Sequence, residues 1–242
     1  MKSSSIYRGH RFPPAIISLA VRWYFRFSLS LRDIEELLLE RGVIVSYESI
    51  RRWCDKFGAR FAAHGKITGR IAKTCHLDEM FVRLRGEPYW LWRAVDEHGR
   101  ELDILMQKHR DTAAAKQFFK RIFRNHPAPR VIVTDQLRSY PAAKARVPAL
   151  AKTKHIFVRA AARVNNCAEN SHQPTREREH RMRGLRDLRR AQRLLSNFGP
   201  IRQHFALKRE ILGAIEHRRQ LTAHLASWQQ LTLGSQNPSA FR

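Results

Sequence analysis

Apolar positions in the first quarter of the chain recur at helical spacing. Pro13 and Pro14 lead into Ala15 to Phe27, where Ile16, Leu19, Ala20, Trp23 and Phe27 return every three or four residues and predict a helix. Ser30 then heads Ser-Leu-Arg-Asp, a capping-box arrangement with Asp33 at its third position. Leu31, Ile34, Leu37 and Leu38 carry the apolar face on to Arg41, and Gly42 stops the helix. Ser46 is the candidate N-cap of a third helix, Tyr47 to Phe57, whose Ile50, Trp53 and Phe57 lie at i, i+3 and i+7. Three helices with a short Gly-led turn between the second and third predict a helix-turn-helix.

From about Ile71 the period shortens toward two. Thr74 to Leu84 and Tyr89 to Val95 read as strands about a turn at Arg85-Gly86-Glu87-Pro88, and Asp96 to Gly99 turns into a third strand, Glu101 to Gln107. Asp111 to Arg124 is helical, with Phe118, Phe119, Ile122 and Phe123 on one side, and Val131 to Thr134 is a short buried strand. A helix at Ser139 to Ala145, a strand at His155 to Val158 and a long arginine-laden helix from about Gln173 to Ser196 complete a β-β-β-α-β-α-β-α order. That order resembles the mixed α/β sheet of ribonuclease H. Phe198-Gly199-Pro200 is expected to break the long helix, and a last helix is expected from Gln203 to Leu225. The resulting organisation is a helix-turn-helix over 1–70, an α/β domain over 71–200 and a helical extension over 201–242.

Charge narrows the partner. The 242 residues hold 46 Lys and Arg against 21 Asp and Glu, a formal charge of +25. The excess is +7 over 1–70 (13 against 6), +9 over 71–160 (18 against 9) and +9 over 161–242 (15 against 6). A basic excess in every third, on a chain that is 43% hydrophobic and so able to fold, points to a polyanion touched along much of the surface, of which nucleic acid is the commonest. Cys54, Cys75 and Cys167 form no CxxC pair, which excludes a disulfide framework or zinc ribbon and favours a reducing compartment. Ala15 to Val21, the longest apolar stretch near the start, is too short to span a membrane, so a cytoplasmic, nucleoid-associated protein is expected. On the third helix, Glu48, Ser49, Arg51, Arg52 and Lys56 form a polar face suited to the major groove, with Ser49, Arg51, Arg52 and Lys56 as the candidate DNA contacts. Arg176, Arg178, Arg181, Arg183, Arg186, Arg189, Arg190 and Arg193 surround the later helix with little interleaved acid, as phosphate-backbone binding requires.

In so basic a chain the informative acids are those in or beside apolar strands. Asp78 lies inside Cys75 to Val82, and Asp135 directly follows Val131 to Thr134. An isolated carboxylate buried in a sheet costs several kcal/mol unless it is paired or bound to metal. Glu169, 34 positions after Asp135, heads the arginine-rich region. In a ribonuclease H-like order the first and fourth strands are neighbours and the following helix crosses near their ends, so the three can converge. Their oxygen donors suit Mg²⁺ or Mn²⁺. His76 and His172 flank these carboxylates and read as neighbours or DNA contacts, because Mg²⁺ disfavours imidazole.

Leu77-Asp78-Glu79, Val133-Thr134-Asp135 and the run Asn165-Asn166-Cys167-Ala168-Glu169-Asn170-Ser171-His172-Gln173-Pro174-Thr175-Arg176 resemble the DDE transposases of bacterial insertion sequences. The likeness is closest to the insertion-sequence-six family. It extends to Gly9-His10-Arg11-Phe12-Pro13, Ala20-Val21-Arg22-Trp23-Tyr24, Leu31 to Leu37, Glu40-Arg41-Gly42-Val43 and Ile50-Arg51-Arg52-Trp53, covering residues 9 to 210. The resemblance implies that Asp78, Asp135 and Glu169 form a catalytic triad holding two Mg²⁺ or Mn²⁺ ions, with Arg176 as the basic residue seven positions after the glutamate. It also implies binding of the element's terminal inverted repeats and of target DNA, metal-dependent strand cleavage and transfer, and at least a homodimer. A non-catalytic DNA-binding regulator and a ribonuclease H-like nuclease without strand transfer are the alternatives. Pro174 implies that the helix after Glu169 either starts near Gln173 or is kinked.

Overall fold

A computed structural model describes residues 6–65, 73–158, 166–182, 184–207 and 212–233, with the backbone alone at 64–65 and 166–170. The chain divides into two compact units, Met1–Gly65 with Asn197–Arg242, and Lys66–Ser196.

The first unit is helical: α1 (Pro14–Arg26), α2 (Leu31–Leu39), α3 (Tyr47–Gly65), the end of α7 (Leu188–His204) and α8 (Ala214–Leu233). The capping box at the start of α2 is present, with Ser30 Oγ accepting from the Asp33 amide at 3.1 Å and the Asp33 carboxylate accepting from the Ser30 amide at 2.8 Å. Ile34 and Leu38 of α2 and Ile50, Trp53, Phe57 and Phe61 of α3 are buried, so the predicted apolar stripes of the second and third helices face inward; on α1 the buried face is instead Ile17, Val21 and Phe25 beside Ala20, with Ile16, Leu19 and Trp23 only half-buried and Phe27 47% exposed. Trp228 of α8 meets Phe61 edge-on at 5.3 Å, and its indole N–H donates to Ser18 Oγ at 2.9 Å. Tyr7 donates to the Thr232 carbonyl at 2.7 Å. The segment expected as a C-terminal extension thus supplies a helix to the N-terminal bundle. α3 makes its close approach at Gly58, where a Cβ would stand 2.8 Å from Asn197 Nδ2 and 3.1 Å from the Phe25 ring.

The second unit is a five-stranded sheet in the order β3-β2-β1-β4-β5, built from β1 (Thr74–Leu84), β2 (Glu87–Asp96), β3 (Glu101–Gln107), β4 (Val131–Thr134) and β5 (Lys154–Phe157). The first three strands are antiparallel, while β4 is parallel to β1 and β5 to β4. β1 and β2 join through Arg85 and Gly86 alone, both at positive φ (50° and 88°), the pairing that a tight two-residue hairpin requires. One face of the sheet packs Cys75, Leu77, Trp92 and Ala94 against α4 (Thr112–Asn125) and α5 (Ser139–Ala145), and the other packs Met80, Val82, Leu91 and Ile104 against Leu185, Ala191 and Leu195. This mixed sheet, covered on both faces, is the ribonuclease H-like fold.

Four features of the later helices differ from expectation. The single arginine-rich helix is two, α6 (Asn166–Arg181) and α7, separated at Gly184, whose φ of 90° ends a right-handed helix, and by a bridge between Leu185 and Leu84. Pro174 lies inside α6, which already begins at Asn166. Pro200 lies inside α7 and does not break it: Phe198, Ile201 and Phe205 are all buried, each worth about 1.5–3 kcal/mol, which together outweigh a proline penalty of about 3 kcal/mol. The last helix starts at Ala214, not Gln203, and its buried residues are Trp228 and Thr232, one helical turn apart.

Candidate active site

The β1–β4 ladder pairs residues 57 apart: Thr74 with Val131, Cys75 with Ile132, His76 with Val133. Asp78 and Asp135 are also 57 apart (135 − 78), so continuing that register by two residues brings the two carboxylates level where β4 ends. Asp78 keeps 19% of its side chain exposed and Asp135 33%, enough for both to reach a ligand arriving from solvent. Asp135 is held from its own loop, with Oδ1 accepting from the Leu137 amide at 3.0 Å.

Two further charged groups complete the strand ends, and neither was singled out from the sequence. Glu79, next to Asp78 but on the opposite face of β1, has a fully buried side chain. Tyr140 donates to its Oε2 and Arg110 Nε to its Oε1, both at 2.5 Å, and Arg110 also reaches Asp135 Oδ2 at 3.2 Å. Burial pushes the Glu79 carboxyl above the ordinary glutamate value; Tyr140 and Arg110 pull it back, and Asp135 pushes it up further. Arg93 stands opposite Asp78 in the β1–β2 register and is buried. It donates to the Ser171 carbonyl and to Thr175 Oγ1 (2.5 Å), bracing α6 on both sides of Pro174, and pairs with Glu101 at 3.4 Å. The sequence signal for both is a charged residue in an apolar strand, the same signal that marks Asp78.

α6 runs beside these strands. His172 is buried, with Nε2 3.3 Å from Asp78 Oδ2; burial lowers its pKa against the pull of that carboxylate. Arg176, one turn later, is exposed and donates from Nε to the Met80 sulfur at 3.2 Å. Glu169 belongs to the same helix, three residues before His172, and its side chain lies outside the described residues.

A family model described as a DDE domain matches residues 72–208. The transposase for insertion sequence-like element IS431mec of Staphylococcus aureus is 31% identical over 180 residues, covering 74% of this chain and 80% of the relative. The transposase for insertion sequence element IS257 in transposon Tn4003, from the same species, matches to the same extent. The chain belongs to the insertion-sequence-six family of DDE transposases. The catalytic domain of the Mos1 mariner transposase superposes with a TM-score of 0.41 at 10% identity, over 74% of this chain and 90% of that one.

Membership makes this transposase an enzyme that acts on DNA with a divalent cation. The donors fit such a cation: Asp78 and Asp135 offer carboxylate oxygens, the hard ligands Mg²⁺ and Mn²⁺ prefer. Among the described residues no three His, Cys, Asp or Glu side chains come close enough to enclose an ion.

The expected DNA contacts of the transposase divide by exposure. Arg181, Arg186, Arg189 and Arg190 are exposed, and Arg183 lies outside the described residues. Arg178 is a correction: only 2% exposed, it packs inside the catalytic unit and is not available to a phosphate. On α3, Arg52 is exposed and Lys56 Nζ sits 2.8 Å from His10 Nε2. Arg51 is engaged with Glu48 (Nε to Oε2, 3.0 Å) and Asp55 (3.8 Å), and Ser49 shares a hydrogen bond with Ser46 at 3.2 Å. Among the described residues, no helix is long and apolar enough to cross a membrane.

Proposed function

We propose that this transposase recognises the terminal inverted repeats of its element through the helix-turn-helix of residues 1–70 and cuts and joins DNA at Asp78, Asp135 and Glu169 in the domain of residues 71–200. The shared register of Asp78 and Asp135 carries this reading: strands 57 residues apart bring two partly exposed carboxylates to one sheet end. Glu169, on the helix whose His172 touches Asp78, supplies the third; three residues of helix rise only about 4.5 Å. Two Mg²⁺ or Mn²⁺ ions bound there supply a polarised phosphate and a nucleophilic water or DNA 3′-hydroxyl of lowered pKa. The protein's own groups hold the geometry. Arg93 fixes α6 on the sheet, Glu79 and Arg110 fix the Asp135 side, and Arg176 places a positive charge beside β1 where a DNA phosphate approaches. Arg52 and Lys56, with Ser49 and Arg51 after rearrangement of their present pairs, read the repeat, and Arg181, Arg183, Arg186, Arg189 and Arg190 hold the backbone. Pairing two element ends calls for a dimer or larger assembly on the nucleoid.

Incubation with labelled element ends, a target plasmid and Mg²⁺ tests the reading. Joined products are expected; cleaved ends alone would indicate a nuclease, and binding alone a regulator. Asp135→Asn is expected to abolish joining, by at least about a hundredfold, with end binding kept. Loss of end binding in a folded Asp135→Asn protein would remove the division of labour proposed here.

A further inference from the structure

On β1 the side chains of Cys75, Leu77 and Glu79 point into the layer under α4 and α5, and the same face continues past it with Phe81 and Arg83. Phe81 is 46% exposed. Its ladder partner on β2 is Trp90, and the rings meet edge-to-face at 5.7 Å. Cations border both: the Arg83 guanidinium is 5.8 Å from the Phe81 ring centre, and that of Arg110 is 4.8 Å from the Trp90 ring centre. Arg110 also reaches Asp135 at 3.2 Å, so a single guanidinium separates this aromatic face from a proposed catalytic carboxylate. The exposed Lys108 and His109 precede Arg110 in the β3–α4 connection.

We infer that Phe81 and Trp90 form a stacking platform for an unpaired DNA base next to the scissile phosphate, with Arg83 and Arg110 holding the adjoining backbone. The inference rests on the transposase reading and adds a subsite to it. A base inside a duplex presents only its edges to protein, whereas an extruded or single-stranded base offers a flat π-face to an exposed aromatic ring. The charge selects the occupant: a second copy of this chain docking here about a two-fold axis would bring the same arginines face to face, while a nucleotide brings the complementary phosphate.

The test compares a blunt duplex with the same duplex carrying a short single-stranded thymidine tail, using the full chain with EDTA present so that no cleavage occurs. Fluorescence anisotropy is expected to show tighter binding of the tailed duplex. Phe81→Ala, at an exposed position, is expected to weaken the tailed duplex about tenfold and leave the blunt one unchanged, and Phe81→Trp to restore the difference. An equal loss on both duplexes, no loss, or an altered oligomeric state on sedimentation without a tail-specific loss would overturn the platform. Failure of the unaltered protein to bind either duplex would instead overturn the DNA-end reading beneath it.

Discussion

Buried charge in the catalytic unit is placed where it orients something else. Glu79 and Arg93 lie within apolar strands, and each is satisfied by several partners: Tyr140 and Arg110 for the first, Ser171, Thr175 and Glu101 for the second. Such groups cost several kcal/mol when left alone, so their partners hold fixed positions around them. His155 illustrates the pH consequence. Thr134 Oγ1 donates to the Asp135 carbonyl at 2.8 Å and therefore accepts from His155 Nε2 at 2.9 Å, which fixes the tautomer. Burial, with Lys144 nearby, lowers the His155 pKa from 6.5 to about 4. The unfolded chain takes up that proton first. The His155 contribution to stability is therefore complete above pH 6.5, declines as the pH falls, and levels off below about 4. Urea titrations across this range are expected to show a shallower acid-side decline for His155→Gln than for the unaltered chain, and parallel curves would disprove the assignment.

Elements terminate and pair where tertiary partners satisfy them. β3 is an edge strand, and α7 closes it: Gln192 accepts from the Met106 amide at 2.7 Å and donates to the Ile104 carbonyl at 3.0 Å. A side-chain amide thus stands in for the missing neighbouring strand and blunts an edge open to intermolecular pairing. Gln192→Ala leaves both backbone groups buried without a partner, and chemical denaturation is expected to show a loss of about 1–3 kcal/mol. Gln192→Leu, closer in volume, is expected to cost a similar amount, because hydrogen bonding and not packing is what is lost. Recovery of stability by leucine would refute this. The same dependence on partners explains the helices. Pro174 and Pro200 read locally as breaks, yet α6 and α7 run through them because Arg93 braces one and buried Phe198 and Ile201 hold the other.

At the scale of the molecule, a unit assembled from both chain ends makes the three N-terminal helices depend on the last one. Phe61, Phe205 and Trp228 form one aromatic cluster, and Ser18, Thr232 and Tyr7 tie α1, α8 and the N-terminal segment together. Trp228→Ala is expected to remove about 3–5 kcal/mol from this unit. Hydrogen exchange is the direct check, with faster exchange expected in Tyr47–Gly65 and unchanged protection in β1. Equal acceleration in both would mean that the two units unfold together.

What was legible in the amino-acid sequence was whatever local periodicity and local chemistry encode. The five strands, the capping box at Ser30, the apolar stripes of the second and third helices and the 57-residue interval between Asp78 and Asp135 all follow from side-chain alternation, turn residues and spacing. Those interactions act within a few residues and leave the same mark wherever they occur. Three things were decided only by folding: that Arg178 is interior while Arg176 and Arg181 beside it on the helix face solvent, that Glu79 and Arg110 join Asp135, and that the C-terminal helix completes the N-terminal bundle. Each depends on desolvation and on contacts between residues far apart in the chain. A linear pattern shows that an arginine can bind phosphate; its burial determines whether it is free to do so.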